Sequence, residues 1–194
     1  MFRALSYILI LGGLVIAGLG VHSVWTAREA ERQAQQQWEQ DLAGRARPSP
    51  RIHAVPNGET LARLSIDRLE SRWVVFEGAG KDVLRRGPGH LVDTALPGSR
   101  GNCVIAGHRD TQFRILRNVE VGEGISLEIE GRTFVYRVTE RRVVSPADTR
   151  SLDPTATPTL TLVTCYPFYY VGPAPKRFIV RAKLVSATIP ARRA

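Results

Sequence analysis

A chain of 194 residues, 43% of them hydrophobic, holds material for one folded domain with a sizeable core once any membrane segment is subtracted. Its formal charge is +9, and since Lys81, Lys176 and Lys183 are the only three lysines, nearly all the positive charge is arginine. Residues 54–194 carry 21 basic and 14 acidic side chains, a balance of +7 that suits nucleic acid, anionic lipid or an acidic wall polymer. With no basic run interleaved with aromatics and no zinc-finger spacing, nucleic acid is the weakest of the three and no nucleic-acid partner is expected; a solvated arginine-rich surface accounts for the charge most simply. There are two cysteines, Cys103 and Cys165; a single disulfide is possible outside the cytosol, yet the metal spacings and paired frameworks that would point to a structural role are absent.

Taken in chain order, the first element is apolar. Ala4 to Val24 contains no Asp, Glu, Lys or Arg, and about 20 such residues are what an α-helix needs to cross a bilayer. Arg3 and the amino terminus precede it, whereas Arg28, Glu29, Glu31 and Arg32 cancel after it, which places the N-terminus in the cytoplasm and the rest of the chain outside. A cleaved signal peptide is the competing account. The apolar region is longer than such segments and lacks a small-x-small site ahead of Trp25, which favours an uncleaved anchor.

Thr26 to Arg47 is polar and rich in helix formers, and reads as a stalk continuing the membrane helix. PSPRIHAVPNG, with three prolines in eleven residues, ends that helix and forms a semi-rigid linker. The expected organisation is an anchor over residues 1–25, a stalk and linker over 26–58, and a folded domain over 59–190.

Beyond Glu59 the pattern changes to short alternating apolar runs punctuated by Gly, Pro, Asp and Asn, the sequence form of an all-β domain. Eight strands are predicted: 61–67, 72–77, a short 89–93, 102–108, 125–130, 133–144, 159–165 and 177–185. Glu130-Gly131-Arg132 reads as a hairpin turn. Helical pieces are short, at 81–86 and 113–118. An eight-stranded closed barrel removes the exposed edges that such a set would otherwise have.

Three residues in this frame invite chemistry. Cys165 ends the run TLTLVTC, and Pro167 prevents a regular ladder from continuing, so the thiol stands where a substrate can reach it. Cys103, between Asn102 and Val104 in mid-strand, reads as a small core residue. Of the four histidines, His22 lies in the apolar helix, His53 in the linker and His90 in a turn after Pro88-Gly89. His108 ends the run NCVIAG, a strand terminus like that of Cys165, so a base and a thiol can meet in one cleft if the two strands are neighbours. An exposed surface histidine is the competing reading. Arg177, twelve residues beyond Cys165, opens the last strand and could donate to a developing oxyanion, although in so arginine-rich a chain composition alone says little.

Together these residues resemble the sortase family of membrane-anchored cysteine transpeptidases. TLVTC, Thr161 to Cys165, is similar to the family's TLxTC signature; IAGHRDTQF resembles the segment carrying its histidine and PKRFIV the segment carrying its arginine. The phrase CYPFYYVGPAPKRFIVRAKL is most similar to class D sortases.

The resemblance implies an eight-stranded sortase-type β-barrel in which His108, Cys165 and Arg177 meet as catalytic residues. It implies a substrate carrying an LPxTG-like C-terminal sorting signal, cleaved between Thr and Gly through a thioester, with transfer to an amine acceptor. It requires no cofactor and no metal. Thr164 and Tyr166, flanking the cysteine, are expected in the substrate groove. Arg109, Asp110 and Thr111 either orient the histidine or form a turn around Asp110. The segment Ser145 to Pro158 is expected as a partly preset loop above the groove.

Other acyltransferase patterns fit less well. An L,D-transpeptidase expects His-Gly before its cysteine, where this chain has Val163-Thr164, and a papain-like site needs a histidine after the cysteine, where none occurs. From a different class, a membrane-tethered β-domain binding acidic wall polymer or a partner protein without catalysis would account for the +7 charge.

Overall fold

The computed structural model describes residues 55–169 and 172–188, together with single positions Tyr7, Gly13, Glu29, Gln33 and Gln36, which are helical. Apart from these positions and residues 55–58, the expected anchor, stalk and linker lie outside the described residues. Among those described, no helix is long and apolar enough to cross a membrane.

Eight strands form one closed barrel: β1 (Thr60–Ile66), β2 (Ser71–Glu77), β3 (Gly89–His90), β4 (Asn102–Ala106), β5 (Gly124–Ile129), β6 (Arg132–Val144), β7 (Thr159–Tyr166) and β8 (Lys176–Thr188). Around the barrel they run β1-β2-β3-β4-β7-β8-β6-β5, so no strand edge is left unpaired along the ring. A helix α1 (Lys81–Arg86) and two 3-10 segments, Asp67–Leu69 and Gln112–Asn118, complete the described elements.

Alternation in the sequence translates directly into the two faces of the wall. Leu64 and Ile66 of β1, Ile125, Leu127 and Ile129 of β5, Phe134, Tyr136 and Val138 of β6, and Leu160 and Leu162 of β7 all enter a single interior cluster. Each fully buried Leu, Ile or Phe contributes about 1.5–3 kcal/mol relative to an exposed one, so this interior is the main source of stability. Val74 and Phe76 of β2 face outward and are covered by Val83 of α1. The hairpin predicted at Glu130-Gly131 is present: Ile129 pairs with Arg132, and the two turn residues take φ of +49° and +73°, values that a tight hairpin demands and a glycine supplies readily.

Two expectations change. Instead of continuing to residue 93, β3 stops at His90, because the chain turns back through Thr94, whose N–H reaches the carbonyl of Leu91 at 2.9 Å. His90 is not an open turn residue. It is 1% exposed inside the barrel, with Nδ1 3.0 Å from Glu77 Oε2 and Nε2 3.1 Å from the carbonyl of Ala95. Both ring nitrogens therefore have hydrogen-bond partners inside the barrel, Glu77 on one side and Thr94 and Ala95 on the other.

The long β6–β7 connection crosses from one rim to the other. Val144 at its start pairs with Arg177, while Thr159 at its end pairs with Asn102. Midway, buried Ser151 pins it to the wall: its hydroxyl accepts from Arg142 Nη2 (2.8 Å), and its carbonyl accepts from Asn102 Nδ2 (3.0 Å) and Arg181 Nη2 (3.1 Å). Only the part before Ser151 is left at the rim where β7 ends.

Candidate active site

Ladder geometry fixes the neighbours of Cys165. β7 and β8 are antiparallel with Cys165 directly opposite Arg177, which puts both side chains on one face of the sheet. On the other side, β4 runs parallel to β7 with Ala106 beside Val163. The ladder continues past the formal end of β4: Gly107 N–H donates to the Val163 carbonyl at 3.1 Å, and Thr164 Oγ1 donates to the Gly107 carbonyl at 2.7 Å. Gly107 is thereby held beside Thr164, and His108 is the next residue along the chain. Cys165 and Arg177 thus share one row across β7 and β8, with adjacent strands about 4.8 Å apart, and His108 follows two residues after the end of β4 on the other side of β7.

The row lies on the outer face of the wall. Leu160 and Leu162 point into the core and Thr164 follows them, 2% exposed, so Val163 and Cys165 point the opposite way. On β8, Phe178 and Val180 are interior and Arg177 is outward by the same alternation. Cys165 is half-buried and His108 exposed. The Arg177 guanidinium donates through Nη1 to the carbonyls of Ala174 (3.2 Å) and Lys176 (3.0 Å), which leaves Nη2 and Nε to meet a substrate oxygen.

A glycine makes the approach of His108 feasible. The ring of Phe113, buried under the rim, packs where a Cβ on Gly107 would stand, only 2.7 Å from its Cδ2. Phe113 N–H in turn holds the His108 carbonyl at 2.9 Å. The residue before the histidine must lack a side chain for both contacts to exist.

Cys103 differs from Cys165 in every respect that governs reactivity. It is 2% exposed on the inner face of β4, and burial, with the nearby Glu77 charge, pushes its thiol well above the usual range. Both thiols are free.

Of the two residues expected to touch substrate, Thr164 points inward and spends its hydroxyl on Gly107. Tyr166 is half-buried and stacks on Phe178, with centroids 6.3 Å apart and Phe168 edge-on to both. Neither shares the outward row, because each lies one residue out of phase with Cys165 along β7. Among the described residues no group of three or more His, Cys, Asp or Glu is placed to hold a metal ion.

The sortase domain model matches residues 64–185, nearly the whole of the barrel. The chain belongs to the sortase family. Sortase D of Bacillus subtilis is 31% identical over 198 residues, spanning 96% of this chain and all of that protein. Among solved structures, the Clostridium perfringens Sortase D5 transpeptidase superposes with a TM-score of 0.66 at 29% identity, over 82% of this chain and 98% of the other. The catalytic domain of B. anthracis SrtD gives 0.61 at 33% identity, over 72% and 96%. This sortase is a cysteine transpeptidase built on the family's eight-stranded barrel, with class D members among its relatives.

Sequence reasoning left several site-forming contacts unread. Arg109 Nη2 reaches the carbonyl of Gly172 at 3.0 Å, and Ser151 anchors the loop through Asn102, 49 residues away. No local signal marks either contact. The aromatic run Tyr166-Pro167-Phe168-Tyr169 was the available clue that the rim is packed rather than open.

Proposed function

We propose that this sortase cleaves an LPxTG-like sorting signal near the C-terminus of a secreted protein, between Thr and Gly, and transfers the new carboxyl end to an amine. What supports this reading is the Cys165–Arg177 pair on the outer wall, with His108 two residues past the end of the neighbouring β4. Cys165 enters as thiolate and His108 as imidazolium. Sulfur attacks the threonine carbonyl carbon, and the free donors of Arg177 hydrogen-bond the oxyanion. The carbon–nitrogen bond then breaks, His108 gives its proton to the departing glycine amine, and a thioester remains on Cys165.

In the second half an acceptor amine attacks the thioester. His108, now neutral, takes the proton of the attacking nitrogen, the carbon–sulfur bond breaks, and the thiolate–imidazolium pair returns. Water in place of the amine gives hydrolysis. Thr164 and Tyr166 serve by shaping the rim, the first through Gly107 and the second through the aromatic stack, more than by reaching substrate with polar atoms. No cofactor enters these steps.

In the same proposal residues 4–24 form a single membrane-spanning anchor with a cytoplasmic N-terminus, the stalk and linker follow, and the catalytic domain works outside the membrane. The half of the β6–β7 loop before Ser151 borders the outward row on the β8 side and is the natural place for signal selectivity. A library of signal peptides incubated with the full chain and candidate amines, read by mass spectrometry, tests the reading. Peptide–amine products joined at the threonine carboxyl are expected; cleavage elsewhere, or none with any signal, would overturn it.

A further inference from the structure

His108 follows β4 and Arg177 opens β8, and one side chain reaches from the loop after β4 to the connection that leads into β8. Half-buried Arg109, next to His108, donates through Nη2 to the Gly172 carbonyl at 3.0 Å. Two residues further on, the Ala174 carbonyl accepts Nη1 of Arg177 at 3.2 Å. Gly172 and Ala174 belong to the β7–β8 connection, residues 167–175, which contains Pro167, Pro173 and Pro175. Prolines donate no backbone hydrogen bond, and among the described residues of this connection no backbone–backbone hydrogen bond ties it to the barrel. Side chains hold it instead. Phe168 sits in the stack with Tyr166 and Phe178, and Tyr169 lies under the guanidinium groups of Arg114 and Arg117, at 5.3 and 5.2 Å. Among the described residues these contacts secure the first half. The half that carries the acceptor for Arg177 is reached by Arg109.

We propose that Arg109 is a positioning residue for Arg177: by fixing Gly172 it fixes the Ala174 carbonyl, and so the direction in which the Arg177 guanidinium points across Cys165. The inference rests on the reading of Arg177 as oxyanion donor. A guanidinium suits the task, since it can hold a carbonyl from a half-buried position while staying charged, whereas a lysine offers a more mobile point donor. Because the contact acts on a group used in the transition state, its loss falls on kcat and leaves KM almost unchanged.

The test is a double-mutant cycle in the full chain, with kcat and KM measured on an LPxTG-type peptide. Arg109→Ala is expected to lower kcat about tenfold, the low end of the scale for one charged hydrogen bond, with KM within about twofold. Arg109→Lys is expected to fall between it and the parent. In an Arg177→Ala background, Arg109→Ala should cost nothing further. The same loss in both backgrounds, or a loss carried by KM, would overturn the inference while leaving the role of Arg177 intact. Full activity of Arg177→Ala alone would instead overturn the oxyanion reading, and this inference with it. Should thermal melting show Arg109→Ala unfolded, Arg109→Lys against Arg177→Ala supplies the same cycle.

Discussion

Cys103 and Cys165 lie on adjacent, parallel strands of one wall and meet opposite fates. Cys103 pairs in register with Leu160 and shares its inward face, among aliphatic side chains and beside the buried Glu77–His90 pair. Cys165, five residues further along β7, is out of phase with Leu160 and faces outward beside Arg177. The difference is parity. In a sheet, a shift of one residue exchanges core for surface, so the same thiol is a filler on one face and a nucleophile on the other.

Substitutions of the two cysteines should separate the faces most sharply. Cys165→Ala is expected to lower peptide cleavage at least about a thousandfold with an unchanged melting curve. Cys103→Ala should keep activity within about twofold and lose about 1 kcal/mol of stability, measured by denaturant titration, because only a small interior void is opened. Comparable activity losses in both would erase the distinction.

Labelling probes the same contrast without substrate. Iodoacetamide should modify Cys165 about a hundredfold faster than Cys103 in the folded protein, since thiolate character and access both favour it, and the two rates should converge in denaturant. Peptide mapping by mass spectrometry gives the ratio directly.

A third experiment sharpens the role of the rim. Gly107→Ala would push its Cβ into Phe113 and shift His108, so activity should fall about tenfold or more and stability by about 1–3 kcal/mol. Retained activity would mean that the rim has more room than the packing of Phe113 allows.

The smallest expected effect lies in the loop before Ser151, where Arg150 hydrogen-bonds Asp148 and lowers its carboxyl to about 2 from an ordinary 3.8. A carboxyl depressed on folding stabilises above its unfolded value and loses that contribution as the pH falls from about 3.8 through about 2. Asp148→Asn should therefore be slightly less stable at neutral pH, with the gap closing below about pH 2 in acid melts. An unchanged gap across that window would show that the pair does not hold the loop.

Much of this architecture was legible because period-two patterning is local. Leu160, Leu162 and Cys165 announce a strand and its end without reference to the rest of the chain, and the Glu130-Gly131 turn announces its own hairpin. The run before His108 ends on Gly107, a residue that signals close packing but not its partner. What stayed illegible depends on contacts between distant segments. Nothing near Ser151 indicates that Asn102, Arg142 and Arg181 converge on it. His90 looks like a turn residue until Glu77 is seen beside it, and Thr164 looks like a groove residue until the phase of β7 sends it inward.

The most direct measurement is intact-mass and peptide-mapping analysis of the full chain quenched in acid during turnover of an LPxTG-like peptide. A thioester adduct ending in the signal's threonine and located on Cys165 alone is the predicted result. Cleavage with the adduct on Cys103, or steady turnover by Cys165→Ala, would contradict the outward row as the seat of the chemistry.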